Sequence, residues 1–180
     1  MNCPSTVESS THRVFFALWP DLQIRSELAK IAVTELRGNG KRVPSNNLHL
    51  TLAFVGAVDT KQEELARAAA DSVHESAFRL NLERLGFFDN SKVAWSAPGE
   101  IDVALSALVN ALHGALSERQ LAFDSGTFRP HVTLARSISA IGAEIAHSPV
   151  SWLVREFCLV RSVTDSRGGH YQPVNFWPLS

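Results

Sequence analysis

The order of apolar and polar positions along the chain divides it into short strands and amphipathic helices. "RVFFALWP" (Arg13 to Pro20) is a continuous apolar run closed by proline, which predicts a buried strand. Leu22, Leu28, Ile31, Ala32 and Leu36 then recur near helical spacing, and Gly38 is a natural stop for the helix. A flexible basic loop, "GNGKR", leads into a second strand over Asn47 to Val55. Thr60 and Glu63 form a candidate capping box for a helix running to about Glu75. Phe78, Leu80 and Leu82 alternate as in a strand, "NSK" turns the chain, and "VAWSA" completes a hairpin. Leu105, Leu108, Leu112 and Leu116 stripe a third helix over Ile101 to Arg119. "LAFDSGTFRPHVTLAR" holds a further strand, and "WLVREFCLVRSVT" and "HYQPVNFWPL" close the chain as two more, with "DSRGG" as their turn. The succession predicts one compact α+β or mixed α/β unit.

Two of the strands share a polar signature. His-x-Thr-Leu occurs at His49 to Leu52, in "NLHLTLAFVG", and again at His131 to Leu134, in "RPHVTLAR". With seven His, eight Thr and twenty Leu in the chain, shuffling would give roughly 0.03 copies, so two copies point to a shared purpose. Side chains alternate along a strand, so His49 and Thr51 share one face while Leu50 and Leu52 take the other. His131 and Thr133 repeat the pattern opposite Val132 and Leu134. Each motif strand also follows a strand and a helix, as in a loose duplication.

That pairing suits phosphodiester hydrolysis. Two imidazoles near neutral pH can hold opposite protonation states, one accepting a proton from water and one donating to the departing alkoxide. A threonine hydroxyl two residues on can donate to a non-bridging phosphate oxygen as charge builds there. Two histidines without carboxylates make a poor divalent-metal cage, so neither metal nor cofactor is expected. The alternative for either histidine is a satisfied side chain on a half-buried sheet.

Composition narrows the setting. The chain of 180 residues is 45% hydrophobic and has a net charge of −1, which allows a sizeable core and argues against a broad electrostatic grip on duplex nucleic acid. A small nucleotide or an RNA end needs only a few local cations. No apolar run approaches the roughly 18 residues needed to span a bilayer. The polar start, "MNCPSTVESSTHR", reads as a flexible tail over residues 1–12 before a single domain over 13–180. Cys3 and Cys158 offer no structural disulfide or cysteine metal site, and the cytoplasm is the default location.

"RVFFALWP", "RVPSNNLHLTLAFVG", "RPHVTLAR" and "YQPVNFWPL" together resemble the 2H phosphoesterase superfamily, in particular its RNA 2′,3′-cyclic phosphodiesterase branch, also called 2′-5′ RNA ligase-like. The resemblance covers nearly the whole chain. It implies a bilobal α+β fold with two mainly antiparallel sheets, flanking helices and a central cleft. It also implies metal-independent opening of a 2′,3′-cyclic phosphate on an RNA end or nucleotide to a 2′-phosphomonoester, with some members joining RNA ends through 2′-5′ linkages. Other members open ADP-ribose cyclic phosphate or cleave 2′-5′ oligonucleotides. A binding module that keeps the cradle without turnover is the alternative from another class. By resemblance His49 protonates the leaving 3′ oxygen, His131 activates water, and Thr51 and Thr133 hold the phosphate. The motifs themselves do not order the two histidines. The resemblance further implies Phe54 against the base and Arg136 near the substrate, although strict alternation puts both on the face opposite their histidines unless twist or a bulge redirects them. A monomer is expected.

The remaining candidates have ordinary readings. His74 and His113 fall on helices, with solvated or capping roles, His12 falls in the tail, His147 in the loop "EIAHSPVS", and His170 before the last strand. Lys41, Arg42 and Arg129 are either a positive rim for a polynucleotide phosphate or solvated loop charges. Trp19, Trp95, Trp152 and Trp177 read as core or rim packing.

Overall fold

The fold is built from two similar sets of strands. The structure, a computed structural model, describes residues 11–139, 144–165 and 168–180. Residues 1–10 of the tail expected over 1–12, with Cys3, and Ser166 and Arg167 of the turn "DSRGG" lie outside them. β1 (His12–Leu18) pairs with β3 (Leu50–Val58) on one side and β8 (Glu156–Asp165) on the other, and β9 (Gly168–Pro178) pairs with β8. The second set repeats this pattern. β5 (Val93–Ala97) lies between β6 (Val132–Arg136) and β4 (Phe78–Phe88), with β7 (Ile145–Val154) beyond β4. Phe78 and Val154, where the chain enters and leaves this half, are themselves partners in the β4–β7 ladder.

The two halves meet at one pair, Leu50 with Val132, and all pairings are antiparallel. The two sheets expected from the sequence are therefore the two halves of one open, continuous sheet, with β7 and β9 at its edges. Leu50 and Val132 each follow a motif histidine, so the junction is locally two-fold. A strand, a helix and a motif strand occur twice: β1, α1 (Leu22–Leu36) and β3, then β5, α3 (Val103–Glu118) and β6. The helices cross between halves. α1 packs on β6 and β7, whereas α3 packs on β3 and on α2 (Thr60–Asp71). Leu28, Leu108, Leu50, Leu52, Val132 and Leu134 accordingly bury into one cluster drawn from both halves. No helix among the described residues is long and apolar enough to cross a membrane.

Several local expectations shift. His12 opens β1 opposite Val58 rather than lying in a tail. The strand expected from Asn47 starts at Leu50, because Ser45–Asn47 forms a 3₁₀ turn. The capping box belongs to Asp59 and Gln62, one position before Thr60 and Glu63: Asp59 Oδ1 accepts the Gln62 N–H at 2.8 Å, and Gln62 Oε1 accepts the Asp59 N–H at 3.0 Å. That helix stops at Asp71, and the third helix starts at Val103, after Asp102 caps it. "WLVREFCLVRSVT" is two strands, broken at Arg155, whose carbonyl accepts the Leu179 N–H at 2.8 Å. The first of them reaches back to Ile145, so His147 lies on a strand and pairs with Ser96 Oγ at 2.9 Å. Cys158 is buried on β8, and burial pushes its thiol up to about 12, well out of reach of thiolate chemistry.

Candidate active site

The junction between the halves sets the centre of the site. Continuing the Leu50–Val132 register by one residue each way sets His49 opposite Thr133 and Thr51 opposite His131. Residues directly opposite share a face, so all four polar side chains of the two motifs converge on the side away from the core. The structure thus brings together His49, Thr51, His131 and Thr133, lining a cleft of about 460 Å³ with Phe54 and Arg136.

Phe54 and Arg136 reach the cleft because alternation fails, twice, at the same place. Against β1, Thr51 pairs with Ala17 and Ala53 with Phe16, so Leu52 is the extra residue of a β-bulge. Against β5, Thr133 pairs with Trp95 and Ala135 with Ala94, so Leu134 is the extra residue of a second. Leu52 and Ala53 are both buried, as are Leu134 and Ala135, and the next residue in each strand turns back out. Both bulged carbonyls are satisfied from across the fold. His113 Nε2–H donates to Leu52 O at 3.1 Å, and the Val43 N–H donates to Leu134 O at 2.9 Å. His113 therefore supports the motif strand instead of facing water.

The two histidines are oriented alike. His49 Nδ1–H donates to Asn47 O at 2.7 Å and His131 Nδ1–H donates to Arg129 O at 2.8 Å. A carbonyl can only accept, so Nδ1 carries the proton in both rings and each Nε2 is left with its lone pair for a ligand. Their surroundings differ. His49 is walled by three aromatic rings: Trp19 stacks on it at 5.5 Å, Phe15 lies at 4.9 Å and Tyr171 presents an edge at 5.0 Å. His131 has one such neighbour, Phe88, edge-on at 5.0 Å. Burial, with the Arg136 and His131 charges behind it, pulls His49 down to about 4 from 6.5. Burial and then Arg136 lower His131 as well. The free protein therefore holds both imidazoles neutral at pH 7.

Unequal recesses flank this centre. On the Thr51 and His131 side, a groove of about 640 Å³ is lined by Phe54, Phe87, Phe88 and Phe128, with Arg129 and Asp124 at its margin. On the His49 and Thr133 side, a pocket of about 190 Å³ is lined by Lys41, Arg42, Asn47, Arg136 and Tyr171. Phe15, Trp19, Tyr171 and Phe88 were not legible as site residues, since an aromatic on or beside a strand reads first as core. His12 and His147 lie with Glu63 and Ser96 instead, and neither they nor His74 and His170 line the cleft. Among the described residues no group of three His, Cys, Asp or Glu side chains could hold a metal ion.

Residues 20–166 match the family model of the 2′-5′ RNA ligase superfamily. The chain is 29% identical over 174 residues to the RNA 2′,3′-cyclic phosphodiesterase of Escherichia coli strain K12, spanning 96% of this chain and 99% of that protein. It is 33% identical over 174 residues to the RNA 2′,3′-cyclic phosphodiesterase of Thermus thermophilus, spanning 88% of this chain and 86% of that one. The crystal structure of E. coli LigT complexed with 3′-AMP superimposes with a TM-score of 0.87 at 28% identity, covering 95% of this chain and 99% of that one.

Proposed function

The chain belongs to the 2′-5′ RNA ligase superfamily, and from that membership and the opposed histidines we propose that it hydrolyses 2′,3′-cyclic phosphate ends of RNA to 2′-phosphomonoesters without a metal. The observation that carries this reading is the register at the sheet junction, which faces each histidine with the threonine of the other motif. A cyclic phosphate in the cleft lies between two Nε2 atoms and two hydroxyls. One neutral Nε2 takes the proton of the attacking water. The other, protonated, donates to O3′ as its bond to phosphorus breaks. Family resemblance gives the first role to His131 and the second to His49. Thr51, Thr133 and Arg136 stabilise the charge that develops on the non-bridging oxygens.

Phosphorus NMR of cytidine 2′,3′-cyclic phosphate incubated with the protein in excess EDTA tests the reading. The 2′-monophosphate is the expected product. A 3′-monophosphate overturns the identity of the leaving oxygen, and an unchanged spectrum favours a binding module.

Two expectations follow from the geometry. Catalysis needs one imidazole neutral and one protonated, and both titrate below 6.5 in the free protein. The bell-shaped profile of kcat/KM, which reports the free protein, should therefore centre on the acid side of 6.5. The kcat profile should lie higher, because a bound phosphate anion favours the imidazolium. A kcat/KM optimum above pH 7 would contradict the depressed values. The second expectation concerns Phe54, which is 45% exposed at the mouth of the aromatic groove. Stacking on a base is worth about 1–3 kcal/mol, so Phe54→Ala should raise KM roughly tenfold with little change in kcat. Steady-state kinetics on the cyclic nucleotide checks it.

A further inference from the structure

The small pocket beside His49 has a charge pattern that the hydrolysis of a single cyclic phosphate does not require. Lys41 and Arg42 form β2, which pairs with β6 so that Lys41 lies directly across from Arg136. Like charges opposite one another on neighbouring strands repel. Among the described residues no Asp or Glu lines this pocket or the central cleft, and Arg13 adds a further cation to the latter. Among the described residues Arg13, Lys41, Arg42 and Arg136 take no part in an ion pair, whereas the aromatic groove carries Asp89 and Asp124. Among the described residues, a chain with net charge −1 thus sets Lys41, Arg42 and Arg136 without a carboxylate on one side of the reacting centre, and Arg129 with Asp89 and Asp124 on the other.

The placement of β2 is built, not incidental. Gly40 has φ +74°, and a Cβ there would meet Arg136 O and the Ile138 side chain, both at 2.6 Å, so only glycine lets the chain approach β6 this closely. Beyond the two basic residues, the Val43 N–H is bonded to Leu134 O, and the 3₁₀ turn leads directly into His49. Of the three cations that the sequence offers as a phosphate rim, Lys41 and Arg42 join the centre on this side, and Arg129 lines the aromatic groove on the other.

We propose that Lys41 and Arg42 form a second phosphate subsite, which takes the phosphodiester 5′ of the terminal nucleotide while the cyclic phosphate occupies the two-histidine centre. The inference rests on the hydrolytic reading above. It makes the preferred substrate a 3′ end that carries at least one upstream phosphate, in preference to a bare nucleoside cyclic phosphate. The terminal base lies toward Phe54 and the strand continues past β2.

The test compares kcat/KM for cytidine 2′,3′-cyclic phosphate with that for its 5′-phosphorylated form, at an ionic strength near 0.15 M where the Debye length is about 8 Å. The native protein should favour the 5′-phosphorylated substrate by about tenfold or more. Lys41→Ala combined with Arg42→Ala should bring that preference to within about twofold of unity, and lower the salt dependence for that substrate by about one unit of slope per lost contact. Turnover of the unphosphorylated substrate should change by less than about threefold. Lys41→Arg combined with Arg42→Lys should keep the preference. An equal loss on both substrates would assign the cations to the reacting phosphate, and no native preference would remove the subsite; either result overturns the proposal. If neither substrate is turned over, the hydrolytic reading fails separately. Calorimetry of cytidine 2′-monophosphate against cytidine 2′,5′-bisphosphate then decides the subsite, which stands only if the bisphosphate binds more tightly and the Lys41 and Arg42 alanines abolish the difference.

Discussion

Alanine in place of either His49 or His131 is expected to lower kcat/KM on a 2′,3′-cyclic phosphate by roughly 10²–10⁴-fold, the range for a general acid or base. The double replacement should fall well short of the product of the two losses, because the pair works as a unit and removing one partner already disables it. The fold should survive. Each ring makes one hydrogen bond, to a carbonyl two residues before it, and neither motif histidine belongs to the buried cluster. His49 costs stability in acid. The unfolded chain takes up a proton near 6.5 while the native ring resists until about 4, so native stability drains as pH falls between those values. The loss reaches roughly 3 kcal/mol by the lower end. His49→Ala should therefore gain stability relative to the native protein between pH 6.5 and 4, in urea titrations, while being nearly inactive. Variants that keep near-native rates would refute the acid-base pair.

Near neutral pH the largest expected effect on stability lies at Glu63, which does not line the cleft. The residue is 4% exposed, and its carboxylate accepts from Arg67 at 2.6 Å, from Arg161 at 2.8 Å and from His12. Arg67 also donates to Asn175 Oδ1 at 3.1 Å, so one side chain ties α2 to β1, β8 and, through Arg67, β9. Removing one partner from such a cluster costs about 3–5 kcal/mol when all members are buried. Arg67 and Arg161 are partly exposed and can recover water, so Glu63→Ala should cost roughly 2–4 kcal/mol. The arginines and His12 bonded to the carboxylate outweigh its desolvation and hold it down to about 2 from 4.5. Above 4.5 its contribution is complete. As pH falls from 4.5 toward 2 the unfolded chain binds a proton that the native chain refuses, and the contribution is lost. Urea midpoints should therefore separate native and variant widely at pH 6 and bring them together near pH 2.5. Equal midpoints at pH 6 would show that the cluster carries no stability.

How much of this was legible varies with how local the cause is. The motif faces follow from period two alone, and the structure places His49, Thr51, His131 and Thr133 as that rule requires. Phe54 and Arg136 defeat the same rule because a bulge is a property of two strands, visible only when Thr51 and Ala53 are set against Ala17 and Phe16. The hint lay in the adjacent Leu and Ala of both motifs, two core residues in succession where one should face out. Asp59, one position before Thr60, is the stronger N-cap residue, and its box with Gln62 leaves Glu63 free to collect arginines. The break at Arg155 leaves no mark in the sequence because the apolar pattern on both sides of it is that of a strand. The aromatic walls of His49 come from β1, the segment after it and β9, so no local window could assemble them.

The pairing of Phe78 with Val154 has a consequence for how such a molecule can change. Everything between them, the His131 motif and much of the aromatic groove included, leaves and rejoins the rest of the chain at one rung. Topologically it is a cassette spliced into a scaffold whose other strands come from both ends of the sequence. Recombination at two neighbouring points can exchange that whole substrate-facing wall in one step, with the His49 strand, its partner β1 and the β8 and β9 strands beyond left uncut. The exchange must carry along complementary surfaces for α1 and β2, which reach across to it, and for β3 and α2, on which its own α3 packs. New specificity in this architecture can thus arise by replacing one side of the cleft while half of the acid-base pair stays in place.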